Sequence, residues 1–127
     1  MSLNSRLIVI LTASSFAATA AVAHPKLLTE APAAGATVSG PMAIELEFNE
    51  AVVDRFSAIE LQMTEMPGMK MAAPMKMTAG VAVVGEEGKR LTTTFAKPLS
   101  KGVYKVVWHA VAADTHRVEG SYSFTVK

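Results

Sequence analysis

Gly102-Val103-Tyr104-Lys105-Val106-Val107-Trp108-His109-Ala110-Val111 is the stretch that decides the fold. On an extended chain successive side chains point to opposite sides, so Tyr104, Val106 and Trp108 share one face and Lys105, Val107 and His109 the other. Such alternation predicts a strand with one face in a core. The period recurs on both sides. Downstream, Gly120 to Val126 turns Tyr122, Phe124 and Val126 inward. Upstream, Leu91, Thr93 and Phe95 alternate and stop before Pro98, and Val81, Val83 and Val84 give a short strand before the polar turn Gly85-Glu86-Glu87-Gly88. Further back, Ile59, Leu61 and Met63 alternate with Glu60 and Gln62, and Ile44, Leu46 and Phe48 with Glu45 and Glu47. A first strand runs from His24-Pro25 through Leu28 and is turned by Ala31-Pro32-Ala33-Ala34-Gly35. About seven short strands separated by turn residues, with no amphipathic helix, predict an all-β chain, an antiparallel sandwich or small Greek-key barrel.

Residues 1–23 stand apart. Arg6, the apolar run Leu7 to Val22 and the small residues Ala21-Val22-Ala23 form the charged, apolar and cleavage regions of a secretory signal. The run is short for a membrane span and is diluted by Thr12, Ser14, Ser15 and Thr19. Cleavage after Ala23 leaves one domain, residues 24–127, starting at His24. Arg6 is the only charged side chain removed, so the formal charge falls from +1 to zero, which gives no electrostatic footprint for nucleic acid or a membrane surface. There is no cysteine, so in an exported chain the core must hold the fold without a disulfide.

Met63 to Met77, M-T-E-M-P-G-M-K-M-A-A-P-M-K-M, carries six of the eight methionines. Pro67-Gly68 and Pro74 break any helix through it, and Lys70 and Lys76 want water, so it is expected to be a surface loop leaving a strand. Converging thioethers make a soft, uncharged ligand set suited to Cu(I). A methionine-rich patch for protein contact and plain core filling are the alternatives. Thioethers form no disulfides, though they do oxidise to sulfoxides.

A second constellation lies between the last two long strands, in Asp114-Thr115-His116. In an extended backbone residues two apart point the same way, so Asp114 and His116 can offer an oxygen and a nitrogen to one ion. An N-terminal His24 adds its α-amine and its imidazole. Pro25 has no N–H to give up as a ligand, so coordination must be completed from elsewhere in the fold. Amine, two imidazoles and a carboxylate form a set suited to tetragonal Cu(II). Glu50 is either a weak ligand, a carboxylate orienting the His24 amine, or simply solvated. His109, opposite the Trp108 face, is taken as a structural or surface histidine.

These segments resemble one family. His24-Pro25-Lys26-Leu27, Phe48-Asn49-Glu50, Phe56-Ser57 leading to Met63-x-x-Met66-Pro67-Gly68-Met69, Gly102 to Trp108, Asp114-Thr115-His116 and Gly120-Ser121-Tyr122 are similar, in order, to CopC, the periplasmic copper-resistance proteins, and their relative PcoC. The resemblance implies a cupredoxin-like or immunoglobulin-like β-barrel with copper sites at opposite ends. It assigns Cu(II) to His24, Glu50, Asp114 and His116, and Cu(I) to Met63, Met66, Met69 and Met75. Family members often carry a histidine in the methionine loop; here Met71 sits about where it would be. The implied protein is no enzyme. It is periplasmic, monomeric without metal, and passes copper to an inner-membrane transporter of the CopD type and a periplasmic multicopper oxidase. Two rivals stay open, an oxidative copper enzyme built on His24 and a sandwich module that binds peptide through its methionines.

Overall fold

The structure, a computed structural model, describes residues 24–77 and 83–127. The expected leader, residues 1–23, and Val81 lie outside the described residues. In chain order the strands are β1 (Leu27–Ala31), β2 (Thr37–Val38), β3 (Ala43–Phe48), β4 (Ala58–Met66), β5 (Met69–Met77), β6 (Val83–Val84), β7 (Arg90–Thr94), β8 (Gly102–Val111) and β9 (Arg117–Val126). The only helical pieces among the described residues are single 3-10 turns at Asp54–Phe56 and Glu86–Gly88. Two sheets form a sandwich, one in the order β1-β3-β7-β6 and the other β2-β9-β8-β4-β5. Neighbours such as β3 with β7 and β4 with β8 are far apart in sequence, so the chain crosses repeatedly between sheets, as expected of an all-β Greek-key arrangement.

β8 is central to its sheet and pairs with β9 on one side and β4 on the other. Its alternation is carried through: Tyr104 and Val106 are fully buried and Trp108 nearly so. Ile44, Leu46 and Phe48 meet them from the opposite sheet, with Leu61, Leu91, Phe124 and Val126 completing the core. Burying each such side chain contributes roughly 1.5–3 kcal/mol, which is how a chain without disulfides holds together. The Tyr104 hydroxyl donates to the Ser100 carbonyl at 2.7 Å, so the one polar atom it brings inside is satisfied. The Trp108 ring packs edge-on to Phe48 and lies against Gly120, where a Cβ would come within 2.7 Å of it.

Three expectations are corrected. β1 begins at Leu27 rather than His24, because Pro25 has no N–H for a ladder and Asn49 takes over the pairing at Lys26. β2 was not foreseen, and it pairs parallel to β9 inside an otherwise antiparallel sheet; two residues are too few to leave a period. The methionine stretch is a β-hairpin rather than a loop, with β4 and β5 joined at Pro67-Gly68 and Gly68 at φ +74°. That is the Pro-Gly chemistry of a tight turn. Pro74 is tolerated because β5 is the outer strand of its sheet, where a missing N–H costs no ladder bond.

Candidate metal centres

At one end of the sandwich the chain before β1 is held by Asn49, whose Oδ1 accepts from the Lys26 N–H at 2.7 Å while its own N–H donates to the Lys26 carbonyl at 3.0 Å. This clamp sends His24 past the end of β3 toward the β8–β9 connection. That connection is a tight turn, not the extended segment expected for Asp114 and His116. The Thr115 N–H donates to the Ala112 carbonyl and the Ala112 N–H to the His116 carbonyl, both at 3.0 Å. Thr115 is left at φ 72°, uncommon for a β-branched residue. The turn still brings the two side chains together. Asp114 Oδ1 accepts from the His116 N–H at 3.1 Å and Oδ2 lies 2.8 Å from His116 Nδ1. The His24 ring meets the His116 ring edge-on, with centroids 4.7 Å apart.

Hydrogen bonds from the His116 ring and backbone, with lesser attraction from the charges of His116 and His24, hold the Asp114 carboxyl below the usual range. An ionised carboxylate only accepts, so Nδ1 of His116 is the donor in this contact. Asp114 therefore touches His116 rather than open space, the arrangement by which a carboxylate orients a metal-binding imidazole. Glu50 Oε1 is buried with no hydrogen-bond partner among the described residues. A buried carboxylate oxygen without a partner invites a cation or an amine. Among the described residues no three His, Asp or Glu side chains already stand as a finished chelate. Asp114 is committed to His116, and His24 is turned edge-on to its neighbour. His109 lies on the outer face of β8, opposite Ala58 and Glu119, outside this group.

The hairpin occupies the other end. Met63 pairs with Tyr104 and Glu65 with Val103, so Thr64 is an extra residue, a bulge in β4. Its hydroxyl donates to the Val103 carbonyl at 3.2 Å. On the far side, Met63 pairs with Met75, Glu65 with Lys70 and Met66 with Met69, leaving Met71 to Pro74 opposite Thr64 alone.

The consequence is geometric. In an unbroken strand Met63 and Met66 would point to opposite faces, and the bulge cancels that. Met63 faces inward with Tyr104, Glu65 outward with Val103, and Met66 inward again. Met69 and Met75 follow as cross-strand partners of Met66 and Met63, and paired residues share a face. Met71 and Met77 pack against the core on the same side. Six thioethers thus lie on one side of one hairpin, graded from Met63 at 5% exposed through Met66 at 43% and Met75 at 46% to Met69 at 59%. Gly102 makes the bulge possible, since a Cβ there would sit 2.5 Å from the Glu65 carbonyl oxygen.

The residues that reading from sequence did not find are Asn49, Thr64, Gly102 as a site residue, and Met77. Of these Gly102 carried a signal as a glycine opening the longest apolar strand, and Met77 as the last methionine of the Met63 to Met77 stretch.

Comparison with known proteins supplies the family and the fold. A profile described as the CopC domain matches residues 27–127. The chain is 48% identical to a copper resistance protein C of Xanthomonas campestris pv. juglandis over 119 residues, covering 94% of this chain and 92% of that one. It is 47% identical to a protein of the same description from Pseudomonas syringae pv. tomato over 107 residues, covering 84% and 83%. Among solved structures, PcoC, a methionine-rich copper resistance protein from Escherichia coli, superposes with a TM-score of 0.73 at 38% identity, covering 83% of this chain and all of that one.

Proposed function

The chain belongs to the CopC family of copper resistance proteins, and from that membership we propose that it is a periplasmic copper-binding protein with two sites of different softness. The nitrogen and oxygen end, His24 with its free amine, His116, Asp114 and Glu50, takes Cu(II). The sulfur end, Met63, Met66, Met69 and Met75 with Met71 in reserve, takes Cu(I). Residues 1–23 act as the export signal that frees the His24 amine. Copper is cargo here, and the chain works as a carrier without catalysis, a monomer before metal arrives. It hands the ion to a CopD-type inner-membrane transporter and a multicopper oxidase.

The observation that carries this reading is the meeting of the His24 and His116 rings, 4.7 Å apart though they lie at opposite ends of residues 24–127. A frayed terminus with no role would not be held there by the Asn49 clamp. At the cupric end Asp114 orients the His116 ring and the orphaned oxygen of Glu50 is free to take a cation or an amine. At the cuprous end thioethers exchange readily and offer no charge, so Cu(I) can pass to a second sulfur-bearing surface by ligand exchange. Intact mass of the exported protein with and without copper tests the proposal. A chain that begins at His24 and gains two copper ions supports it, and a different N-terminus or a single copper contradicts it.

A further inference from the structure

We propose that the hairpin end of the sandwich is a docking face for an acidic protein surface that carries thioethers of its own. The proposal rests on the Cu(I) reading of the hairpin and adds the kind of partner it meets. A groove of about 290 Å³ opens between the hairpin tip and the start of β8, with Glu65, Met66, Pro67, Gly68, Lys101 and Gly102 in its wall. Met69 stands beside it at 59% exposed. A further methionine, Met42, half-exposed at 50%, immediately precedes β3 at the same end of the sandwich. The Phe95 N–H bonds to the Met42 carbonyl and the Leu99 N–H to the Pro41 carbonyl, which ties the segment carrying Lys97 to the one carrying Met42.

Exposed apolar groups gathered at one end of a small domain mark a contact site. The charges around them set the partner. Lys97 and Lys101 are exposed here, with Glu65 in the groove wall; Lys70, the cross-strand partner of Glu65, lies on the outer face of the hairpin. Among the described residues neither Lys97 nor Lys101 is in an ion pair. Glu47 with Arg90, Glu87 with Lys89 and Glu119 with Arg117 pair their charges away from this end, and Lys76 on the outer strand of the hairpin pairs with Glu60. Lysines left free beside thioethers favour an acidic partner, for which complementary charge raises the encounter rate and fixes register. An anionic membrane would use the same charge, but interfacial surfaces bring Trp, Phe or Leu to sink into lipid, and methionines are what this face exposes.

The test uses three probes against the chain beginning at His24: a synthetic peptide alternating Asp or Glu with Met, the same peptide with Lys for each acid, and phosphatidylglycerol vesicles. NMR of the copper-free protein reads docking, and stopped-flow of the Cu(I)-loaded protein reads transfer. The acidic peptide is expected to shift signals of Lys97, Lys101 and Met69 without any copper and to take Cu(I) at least tenfold faster than the basic one. Added salt should erase that advantage. In Lys97→Glu/Lys101→Glu the advantage should fall at least tenfold while Cu(I) stoichiometry is unchanged. Equal behaviour of the two peptides, indifference to charge reversal, or binding of vesicles without binding of the acidic peptide overturns the proposal. Docking in the copper-free protein is read separately, so a chain that failed to take Cu(I) would overturn the parent reading and leave this one still measured.

Discussion

Replacing Gly102 by alanine probes the device that aligns the sulfurs. The added Cβ would lie 2.5 Å from the Glu65 carbonyl oxygen and 3.5 Å from the Met63 methyl, where real Cβ contacts stay beyond 3.0 Å. The carbonyl must therefore withdraw by the difference, 0.5 Å, or β8 must tilt. Both loosen the pairing of Glu65 with Val103 that turns Met66 inward. Overpacking of this kind costs about 1–3 kcal/mol. At roughly 4–8 °C per kcal/mol for a domain of this size, the melting temperature should fall by about 4–24 °C. Thermal unfolding by circular dichroism measures that fall, and competition with a chromophoric Cu(I) chelator measures binding. Gly35→Ala is the control, with φ +73° and nothing within 4 Å of the added carbon. Like Gly102→Ala at φ +155°, it places an L residue at positive φ, a strain of about 1–2 kcal/mol, but without the overpacking and with β9 and β8 between it and β4. The expected outcome is weaker Cu(I) binding in Gly102→Ala alone, with Cu(II) binding intact in both. A Gly102→Ala protein that melts with wild type and binds Cu(I) as tightly would refute the bulge as the aligning device.

Three further outcomes are expected. Met63→Leu conserves core volume and should cost under about 1.5 kcal/mol, whereas Met63→Ala should cost about 2–5; weaker Cu(I) binding in the leucine variant identifies Met63 as a ligand, and undiminished binding assigns it to the core alone. One glycine added ahead of His24, or His116→Ala, should lower Cu(II) affinity at least a hundredfold, on the order of 2.7 kcal/mol, without touching Cu(I), as read by electron paramagnetic resonance competition. The hydrogen bonds from His116 depress the Asp114 carboxyl, so the stabilisation its charge gives the folded state is present above the ordinary aspartate pKa of about 3.9 and lost only as pH falls through the lower folded value. Carboxyl carbon NMR of the copper-free protein should place the Asp114 midpoint below that ordinary value and return it upward in His116→Ala; a wild-type midpoint at or above it contradicts the geometry.

The sandwich was legible wherever a strand has one face in the core. Tyr104, Val106 and Trp108 announce β8 because the period of two survives over its whole length, and Ile44 to Phe48 announce β3 for the same reason. The hairpin was not legible because its outer strand obeys different rules. Pro74 argues against a strand until the strand is known to be an edge, and the bulge at Thr64 hides the shared face of Met63 and Met66 behind a spacing of three. The residue types of both candidate centres were readable, since methionine, histidine and carboxylate carry their donor chemistry with them. Their juxtaposition was not. His24 reaches His116 only through the Asn49 clamp and a turn centred on Thr115, which has none of the glycine or asparagine that flags a left-handed residue.

The two-site account is tested most directly by a copper count on one variant. Met66→Leu/Met69→Leu/Met75→Leu removes three exposed thioethers with little demand on the core, and anaerobic Cu(I) titration beside Cu(II) titration reads both ends of the molecule. The account predicts loss of the Cu(I) equivalent with full Cu(II) uptake and an unchanged far-ultraviolet spectrum. Cu(I) uptake equal to wild type in that variant would contradict it.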